Sequence, residues 1–515
     1  MHVMGNGSNC LFFLITIVIL ILLGVNHDPI YLGLRIIYCL DSTQQQSTTL
    51  LQADKKTETM TIQEDVSIPL LLEQKNSTDE TSCKANLWMV YLSTIVSVCG
   101  SFEFGSWAGF SSPTQAEIMK DLSVTIEEYS VFGSLLTFGA MIGAITSGPM
   151  ADSIGRKGAM RTATGFSVAG WLAIYFAKGA LSLDIGRLAT GYGMGIFSYV
   201  VIHDHDAFLD KVPVFIAEIA PKNLRGALTA VNQLLICTGL SVSFIIGTVI
   251  TWRTLALTGF VPSAILLVGL FFIPESPRWL AKIGHEKEFE AALQNLRGKD
   301  SDILMEAAEI WVLKTLERLP KTKMLDLFQG RHLRSVIIGV GLMFFQHFGG
   351  ISGICFYFSN IFESAGVSSS TRTIVYAILQ LPITAHCTTM IDKAGRKPQI
   401  LLSSTGLVLS CILSWIAFYL KDHNLAPSSV PILSVAGILI FPISIKGVPG
   451  SLATLVNWFC GWAVTYSFNS LTGWSSSGTF MLYAAICALG ILFVVAMVPE
   501  NKGKGLKQIQ AEINA

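Results

Sequence analysis

The chain has 515 residues, of which 51% are hydrophobic and only 14% are charged. Soluble domains carry roughly 25% charged residues, so this composition excludes an ordinary soluble protein and indicates a polytopic membrane protein. Basic and acidic residues are equal at 35 each, so no net positive charge favours nucleic acid as a partner.

Residues 1–84 are predicted to form an N-terminal extension. Its apolar run, 10–25, has the length of a signal sequence or a short helix, but no lysine or arginine precedes it, which is atypical of a secretory signal. A cleaved signal would also invert the basic loops described below. We therefore expect an uncleaved apolar helix and then a polar, disordered cytoplasmic arm. Within this arm, Glu64-Asp-Val-Ser-Ile-Pro-Leu-Leu-Leu72 is either a sorting signal or a chance string.

Twelve apolar runs of about the 20 residues that a bilayer requires follow the extension. Six of them predict an N-terminal bundle, 85–273, and six a C-terminal bundle, 334–498. Loops rich in lysine and arginine alternate with loops that contain few, and the positive-inside rule places the rich set in the cytoplasm. The segment 274–333 is then a cytoplasmic linker, either with short amphipathic helices or fully solvated. Residues 499–515 form a cytoplasmic tail.

One short phrase occurs in both predicted bundles, as Asp152-Ser-Ile-Gly-Arg-Lys157 and as Asp392-Lys-Ala-Gly-Arg-Lys397. Each copy stands between two long apolar runs. The repetition indicates two related membrane halves that show a basic loop to the same side, which is the layout of a secondary transporter.

Four further motifs accompany the repeat: Pro213-Val-Phe-Ile-Ala-Glu-Ile-Ala-Pro-Lys-Asn-Leu-Arg-Gly226, Pro274-Glu-Ser-Pro-Arg-Trp-Leu280, Gln346-His-Phe-Gly-Gly-Ile-Ser-Gly-Ile-Cys-Phe-Tyr357 and Pro499-Glu-Asn-Lys-Gly-Lys-Gly-Leu506. In this order the set resembles the sugar porter family of the major facilitator superfamily, from about residue 85 to the C terminus. The phrase Gly100-Ser-Phe-Glu-Phe-Gly105 is similar to the plant early-response-to-dehydration-like sugar transporters. The resemblance implies an all-α fold of two six-helix bundles with pseudo-twofold symmetry, which moves a monosaccharide, expected to be a hexose, by alternating access.

Alternating access requires a cytoplasmic gate that closes reversibly. Exposed ion pairs contribute about 0.2 to 1 kcal/mol each, which suits a reversible latch. The predicted gate residues are Asp152, Gly155, Arg156, Glu218 and Arg225 in the first half and Asp392, Gly395, Arg396 and Lys446 in the second. The alternative is that the basic residues only orient the spans by the positive-inside rule, but this does not explain the acidic residues paired with them. The second half has lost the acid that would match Glu218.

The substrate site is expected near mid-membrane between the halves, where uncharged polar groups are costly unless a polyol uses them. By resemblance, six residues match the family's sugar-contact positions: Gln233, Gln346, His347, Ser352, Gln380 and Asn457. Amides suit sugars because each donates to one hydroxyl and accepts from the next. His347 stands where a second glutamine is typical and Ser352 where asparagine is typical, which leaves the identity of the sugar open. Each of these residues, taken alone, is better explained by a hydrogen bond between helices, but the group together favours a binding pocket.

Proton coupling requires a titratable group that communicates with the site. In the family's proton symporters a first-span aspartate follows Phe-Gly-Tyr, whereas Phe104-Gly-Ser-Trp107 puts tryptophan at that place. Arg187, the usual partner, remains, and Glu103 lies one helical turn before Trp107. Glu103 is interpreted as neutral, as paired with Arg187, or as an unorthodox coupling group. Facilitated diffusion is favoured, and proton-coupled symport is the alternative.

Two places break the repeat. The run Ile202-His-Asp-His-Asp-Ala-Phe-Leu-Asp-Lys211 puts ionisable groups near the fourth span, where they would cost several kcal/mol in hydrocarbon, so we expect a bulge or a disrupted span. The tenth span, from Pro431 to Lys446, is only about 22 Å long, short of a core of roughly 30 Å. We therefore predict a truncated tenth span. A transport-defective variant and a sugar receptor on the same fold are the alternatives to an active carrier.

No cofactor and no metal are expected, because the ten cysteines lack ligand spacing and nothing about the His-Asp-His-Asp run calls for a metal. No nucleophile–base pair or phosphate loop is found, which disfavours an enzyme. The expected partners are a monosaccharide and the lipid bilayer, with protons as the open alternative. The expected location is the vacuolar membrane or the plasma membrane.

Overall fold

The computed structural model describes residues 87–200, 214–221, 224–298, 301–317, 330–359, 361, 369–394, 396–426, 429–440 and 451–498. All of these belong to one compact unit, Cys83–Ala515. The apolar run 10–25 and the insertion 202–211 lie outside the described residues, so both expectations stay predictions.

The described residues form sixteen helices and no strand. In chain order the helices are α1 (Trp88–Leu122), α2 (Ile126–Tyr175), α3 (Ala180–Val200), α4 (Val214–Ile219), α5 (Arg225–Gly247), α6 (Trp252–Phe272), α7 (Pro277–Ile283), α8 (Glu286–Arg297), α9 (Leu304–Glu317), α10 (Gly330–Phe348), α11 (Ile351–Phe356), α12 (Ser369–Ala394), α13 (Arg396–Asp422), α14 (Val430–Ile440), α15 (Ser451–Trp474) and α16 (Ser476–Met497). Five of them, α2, α5, α6, α13 and α16, are long and apolar enough by length and composition to cross a membrane. Helices suit hydrocarbon because they satisfy their backbone polar groups internally.

Helix α2 crosses the membrane twice. Its 50 residues would extend about 75 Å, far beyond a hydrocarbon core of roughly 30 Å. At Gly155 the backbone turns to φ 82° and ψ 171°, a region that is essentially restricted to glycine. The helix therefore breaks into two spans that are joined by a tight turn, 151–158.

A small residue lets α1 and α5 approach closely. A Cβ at Gly105 would lie 1.9 Å from the Ile236 carbonyl oxygen. Helices pack in membranes mainly through such close contact, because lipid provides little hydrophobic force between them. Any larger side chain at Gly105 would push the two spans apart.

The spans form two bundles, α1–α6 and α10–α16, which meet along the pairs α2/α15, α5/α12 and α1/α11. Near the outer start of α2, the Ser130 hydroxyl accepts a hydrogen bond from Asn469 Nδ2 at 2.8 Å. Near the outer end of α1, the hydroxyl oxygens of Ser112 and Ser359 lie 3.0 Å apart. The outer ends of the two halves are therefore held together.

Other contacts between the halves lie further toward the middle of the membrane. The Thr384 hydroxyl donates to Cys237 Sγ at 3.5 Å, and the rings of Phe104 and Trp458 have centroids 6.1 Å apart. The two halves therefore also touch away from their outer ends.

Helix α14 occupies the place of the tenth span. Its described part, Val430–Ile440, has 11 residues and extends about 16 Å at 1.5 Å per residue. It packs on α13, where the Ser410 hydroxyl donates to the Gly437 carbonyl at 2.6 Å. Residues 441–450, which include Pro442 and Lys446, lie outside the described residues, so the truncated tenth span stays a prediction.

Three short helices, α7, α8 and α9, occupy the segment between the bundles. Ser276 caps α7, accepting from the Trp279 backbone N–H at 3.3 Å, with Pro277 in the first turn. The three helices share a small apolar core formed by Leu280, Ala281, Phe289, Ala292, Leu293 and Ile310.

The variant Gly155→Ala is expected to lower the stability of the protein. An alanine would be held at φ 82°, with its Cβ 2.7 Å from Glu275 Oε2 and 3.2 Å from Trp279 Cη2, and backbone strain of this kind costs about 1 to 3 kcal/mol. Gly165→Ala is the matched control, since an added Cβ in the same helix would meet nothing within 4 Å. Thermal unfolding in detergent measures both variants. Equal midpoints would contradict a strained turn at Gly155.

Candidate functional site

Three of the six predicted sugar-contact residues touch one another. The seventh span breaks after α10 at Gly349 and Gly350, the latter with φ 92°, and restarts as α11. Across this break, His347 Nδ1 lies 2.7 Å from the Ser352 hydroxyl, and Nε2 lies 2.8 Å from Asn457 Oδ1 on α15. The imidazole thus joins α10, α11 and α15.

The other three predicted contact residues are glutamines, and no hydrogen bond joins them to this cluster among the described residues. Gln380 on α12 is almost completely buried, and its Oε1 has no hydrogen-bond partner among the described residues. Gln233 on α5 is half-buried, and its amide lies 3.8 Å from Cys237 Sγ one turn along the same helix. Gln346 is half-buried on α10. An unpartnered acceptor inside a membrane protein is costly unless a ligand or water satisfies it.

Glu103 lies in a buried network with hydroxyl groups. Its Oε1 accepts hydrogen bonds from both Ser167 of α2 and Ser263 of α6, while its Oε2 has no partner among the described residues. Trp107 donates to the Ser167 hydroxyl at 3.1 Å. The tryptophan that replaces the symporters' aspartate is therefore part of the Glu103 network.

Arg187 lies in a different environment from Glu103. One of its amino groups, Nη2, donates to the Ser111 hydroxyl, and the guanidinium carbon lies 5.6 Å from the ring centroid of Phe110 and 5.1 Å from that of Phe132. Such cation–π contacts partly compensate a buried positive charge. The structure therefore does not show the Glu103–Arg187 pair that was one of the three interpretations.

Three of the predicted first-half gate residues, Asp152, Arg156 and Glu218, form a connected cluster at the turn between the two spans of α2. Arg156 makes a two-point contact with Glu218, with Nη2–Oε1 and Nε–Oε2 distances of 3.1 and 3.3 Å. The side chains of Arg156 and Glu218 are only 14% and 9% exposed, so water screens this pair less than a surface ion pair. Arg156 Nη1 also lies 3.4 Å from Asp152 Oδ1.

The cytoplasmic helix α7 completes this cluster. Lys282 lies 2.8 Å from Asp152 Oδ1, and the Ser276 hydroxyl donates to Glu218 Oε2 at 2.5 Å. Burial alone would raise the pKa of Asp152, but the hydrogen bonds and charges of Lys282 and Arg156 lower it below its usual value. The carboxylate is therefore ionised at neutral pH and holds α7 against the turn.

Besides Lys282, three residues of this cluster were not predicted as gate residues. Glu275 accepts from the Lys157 backbone N–H at 3.2 Å, and burial raises its pKa. The indole of Trp279 donates to the Asp152 carbonyl at 3.0 Å, and Ser276 binds Glu218 as described. The motif Pro274-Glu-Ser-Pro-Arg-Trp279 contains all three, so the sequence signal was present but no contact had been assigned to it.

Arg297 connects α8 with the first half, and this contact was also not predicted from the sequence. Arg297 donates to both carboxylate oxygens of Glu306 at 2.7 and 2.6 Å and to the Ile219 carbonyl at 2.8 Å. Ile219 ends α4, the short helix that carries Glu218. The linker helices are thus attached to the first-half gate at two places.

The remaining gate predictions fall on residues whose side chains are not described. Asp392 lies in α12, Arg396 begins α13 and Arg225 begins α5. Gly395 and Lys446 lie outside the described residues. The second-half gate therefore stays a prediction.

The sequence was compared with known proteins. A family model described as Sugar (and other) transporter matches residues 72–513. Sugar transporter ERD6-like 7 from Arabidopsis thaliana is 62% identical over 448 residues, which cover 83% of this chain and 94% of that protein. Sugar transporter ERD6-like 16 from the same plant is 53% identical over 470 residues, covering 87% and 95%.

Solved structures agree on the fold. The inward open conformation of the xylose transporter XylE from E. coli matches with a TM-score of 0.65 at 21% identity, covering 82% of this chain and 99% of that chain. The proton:xylose symporter XylE bound to 6-bromo-6-deoxy-D-glucose matches with a TM-score of 0.63 at 22% identity, covering 82% and 99%. The predicted fold of two helical bundles is thereby confirmed. Given its family-model match and its identity to these plant relatives, the chain belongs to the sugar transporter family of the major facilitator superfamily, in its ERD6-like group.

Proposed function

We propose that this chain moves a monosaccharide of the hexose class across a membrane by alternating access, without coupling to protons. The observation that carries the proposal is the set of hydrogen-bonding side chains on α5, α10, α11, α12 and α15, four of which, all but α10, lie along the contacts between the halves. Gln380 Oε1 supports it most directly, because a buried acceptor without a partner among the described residues suits a sugar hydroxyl. The names of the relatives, all sugar transporters, point the same way.

The two ends of the structure support a rocking mechanism. At the outer end, the halves touch through hydroxyl groups, an amide and aromatic rings, and such contacts separate without leaving a buried charge unpaired. At the inner end, Arg156 and Glu218 pair within the first half. Each half can therefore move largely as one body while the substrate site changes sides.

The buried ionisable groups favour uncoupled transport. A coupling carboxyl must change its protonation state as the site opens and closes. A nearby basic group usually interacts with the ionised carboxylate, so that it responds to this change. In this chain the Glu103 and Arg187 side chains bind different partners, Ser167 and Ser263 for the carboxyl and Ser111 for the guanidinium.

The location follows from the same proposal. We place the carrier in the vacuolar or the plasma membrane. The acidic stretch before Leu70 on the predicted cytoplasmic arm is a candidate sorting signal. Proton-coupled symport is the runner-up function, because Glu103 is a fully buried carboxyl in the first span. A receptor or transport-defective variant is the second alternative, because the sequence from Pro431 to Lys446 predicts a truncated tenth span.

Uptake of labelled glucose into liposomes that contain the purified chain tests the function. Gln380→Leu removes the unpartnered acceptor, and because one buried hydrogen bond to a neutral group contributes about 0.5 to 1.5 kcal/mol, we expect KM to rise several-fold. Thr405→Val is the control, since the Thr405 hydroxyl bonds only its own helix, at the Leu401 carbonyl. A chain with a lengthened tenth span is measured in parallel. Flux by neither chain would favour the receptor or a defective product over the carrier.

The pH inside the vesicles during uptake tests the absence of coupling. We expect glucose to cause no pH change, and Glu103→Gln to retain uptake within about twofold, because the amide oxygen can still accept from Ser167 and Ser263. Collapse of an imposed pH gradient should leave the steady-state sugar level unchanged. Sugar-induced acidification that Glu103→Gln abolishes would replace facilitated diffusion by symport.

A further inference from the structure

His347 connects the sugar-facing part of the second half with its outer closure. Its ring is buried, with 8% of the residue exposed, and it contacts Ser352 and Asn457 on two other helices. Both of these partners are themselves predicted sugar-contact residues. A side chain that uses both of its nitrogens on protein partners has little left to offer a sugar directly.

With the Asn457 amide oriented as in the structure, the hydrogen-bond chemistry determines which atoms remain available. Asn457 Oδ1 can only accept, so His347 Nε2 must carry a hydrogen, and in the neutral ring Nδ1 then accepts the hydroxyl hydrogen of Ser352. The Asn457 carbonyl and the Ser352 hydrogen are thereby engaged. The Asn457 Nδ2 hydrogens have no partner among the described residues, and the residue is half-buried.

We propose that His347 is a positioning residue for the sugar: it turns the Asn457 amide so that its N–H groups, rather than its carbonyl, face the substrate. This rests on the proposed transport function. Asn457 then acts as a donor only, and a sugar must present a hydroxyl oxygen to it as an acceptor. A glutamine at the same place has more rotatable bonds and would hold the Asn457 amide less firmly.

The same ring also restrains the outer closure. Ser352 lies in α11, so its bond to His347 spans the break at Gly349 and Gly350. The chain after α11 includes Tyr357, whose hydroxyl is close enough to α2 that a Cβ at Gly133 would lie 2.8 Å from it, and Ser359, whose backbone N–H donates to Ser112 at 2.9 Å. His347 therefore links a sugar-contact residue to the segment that closes the outer end.

A double-mutant cycle on glucose uptake separates positioning from direct contact. We expect His347→Ala to raise KM about 3- to 10-fold with Vmax little changed, which matches the loss of one positioned hydrogen bond. Asn457→Ala should raise KM by at least as much. Adding His347→Ala to Asn457→Ala should then change KM less than about twofold, because residues that act through one another are not additive.

A conservative variant gives a second readout. His347→Gln keeps an N–H group that can donate to Asn457, so KM should return to within about twofold of the unsubstituted chain. Additive effects of His347→Ala and Asn457→Ala would mean that His347 contacts the sugar itself and would overturn the proposal. A lower Vmax with unchanged KM would reduce His347 to a structural role and would overturn it as well.

If the unsubstituted chain shows no uptake, the proposed transport function fails by itself. A cross-linking experiment without sugar then tests the role of His347. The pair Ser112→Cys and Ser359→Cys places two thiols where the hydroxyl oxygens lie 3.0 Å apart. With the His347 ring intact, oxidation should form the disulfide rapidly, as measured by mass spectrometry of the linked peptides. Slower formation in the His347→Ala background supports positioning of the outer segment, and an equal rate overturns the proposal.

Discussion

A polar group in hydrocarbon needs a partner, and water is not there to provide one. Most buried polar side chains of this carrier satisfy that constraint within their own half: Glu103 takes two serine hydroxyls, and Arg187 takes one serine and the faces of two phenylalanines. The constraint is not met everywhere in the part of the chain that the structure describes, since Glu103 Oε2, Arg187 Nε and Nη1 and Gln380 Oε1 are among the buried atoms without a partner. Gln380 Oε1 and the Asn457 amide hydrogens belong to predicted sugar-contact residues, so a hydroxylated substrate is a suitable partner for them.

The same constraint explains why the two ends of the carrier are built differently. The cytoplasmic cluster uses charges, because Arg156, Glu218 and Asp152 lie where the spans end and polar neighbours from α7 surround them. The outer closure uses hydroxyl groups and aromatic rings between the halves. Contacts of the second kind can be broken and remade during a cycle without leaving a charge in hydrocarbon.

Charge and spacing in the sequence predict part of the candidate site. The Arg156–Glu218 pair was predicted because an acid and a base at the inner ends of different spans are otherwise unexplained, and the structure shows it. The serines around Glu103 were not predicted, since Ser167 and Ser263 are 64 and 160 positions away and serine is common in membrane helices. Such partners become visible only when the packing of α1, α2 and α6 is known.

The predicted sugar-contact set shows a similar limit. His347, Ser352 and Asn457 were each named by resemblance, but their bonds to one another depend on the break in the seventh span and on the packing of α15. Helical spacing alone puts Ser352 more than a turn from His347 along a continuous helix and says nothing about Asn457. The sequence thus identified all three residues as polar. Only the structure shows that His347 bonds residues of two other helices and that the Asn457 amide is left as a hydrogen-bond donor.

Rocking of the two halves is tested most directly by the distance between spin labels at the exposed residues Glu127 and Trp474, at the outer ends of α2 and α15. Double electron–electron resonance on the purified chain should show a short-distance population, in which Ser130 and Asn469 are in contact, and a longer one, with a ratio that changes when glucose is added. A single short distance that no sugar alters would contradict alternating access by these halves.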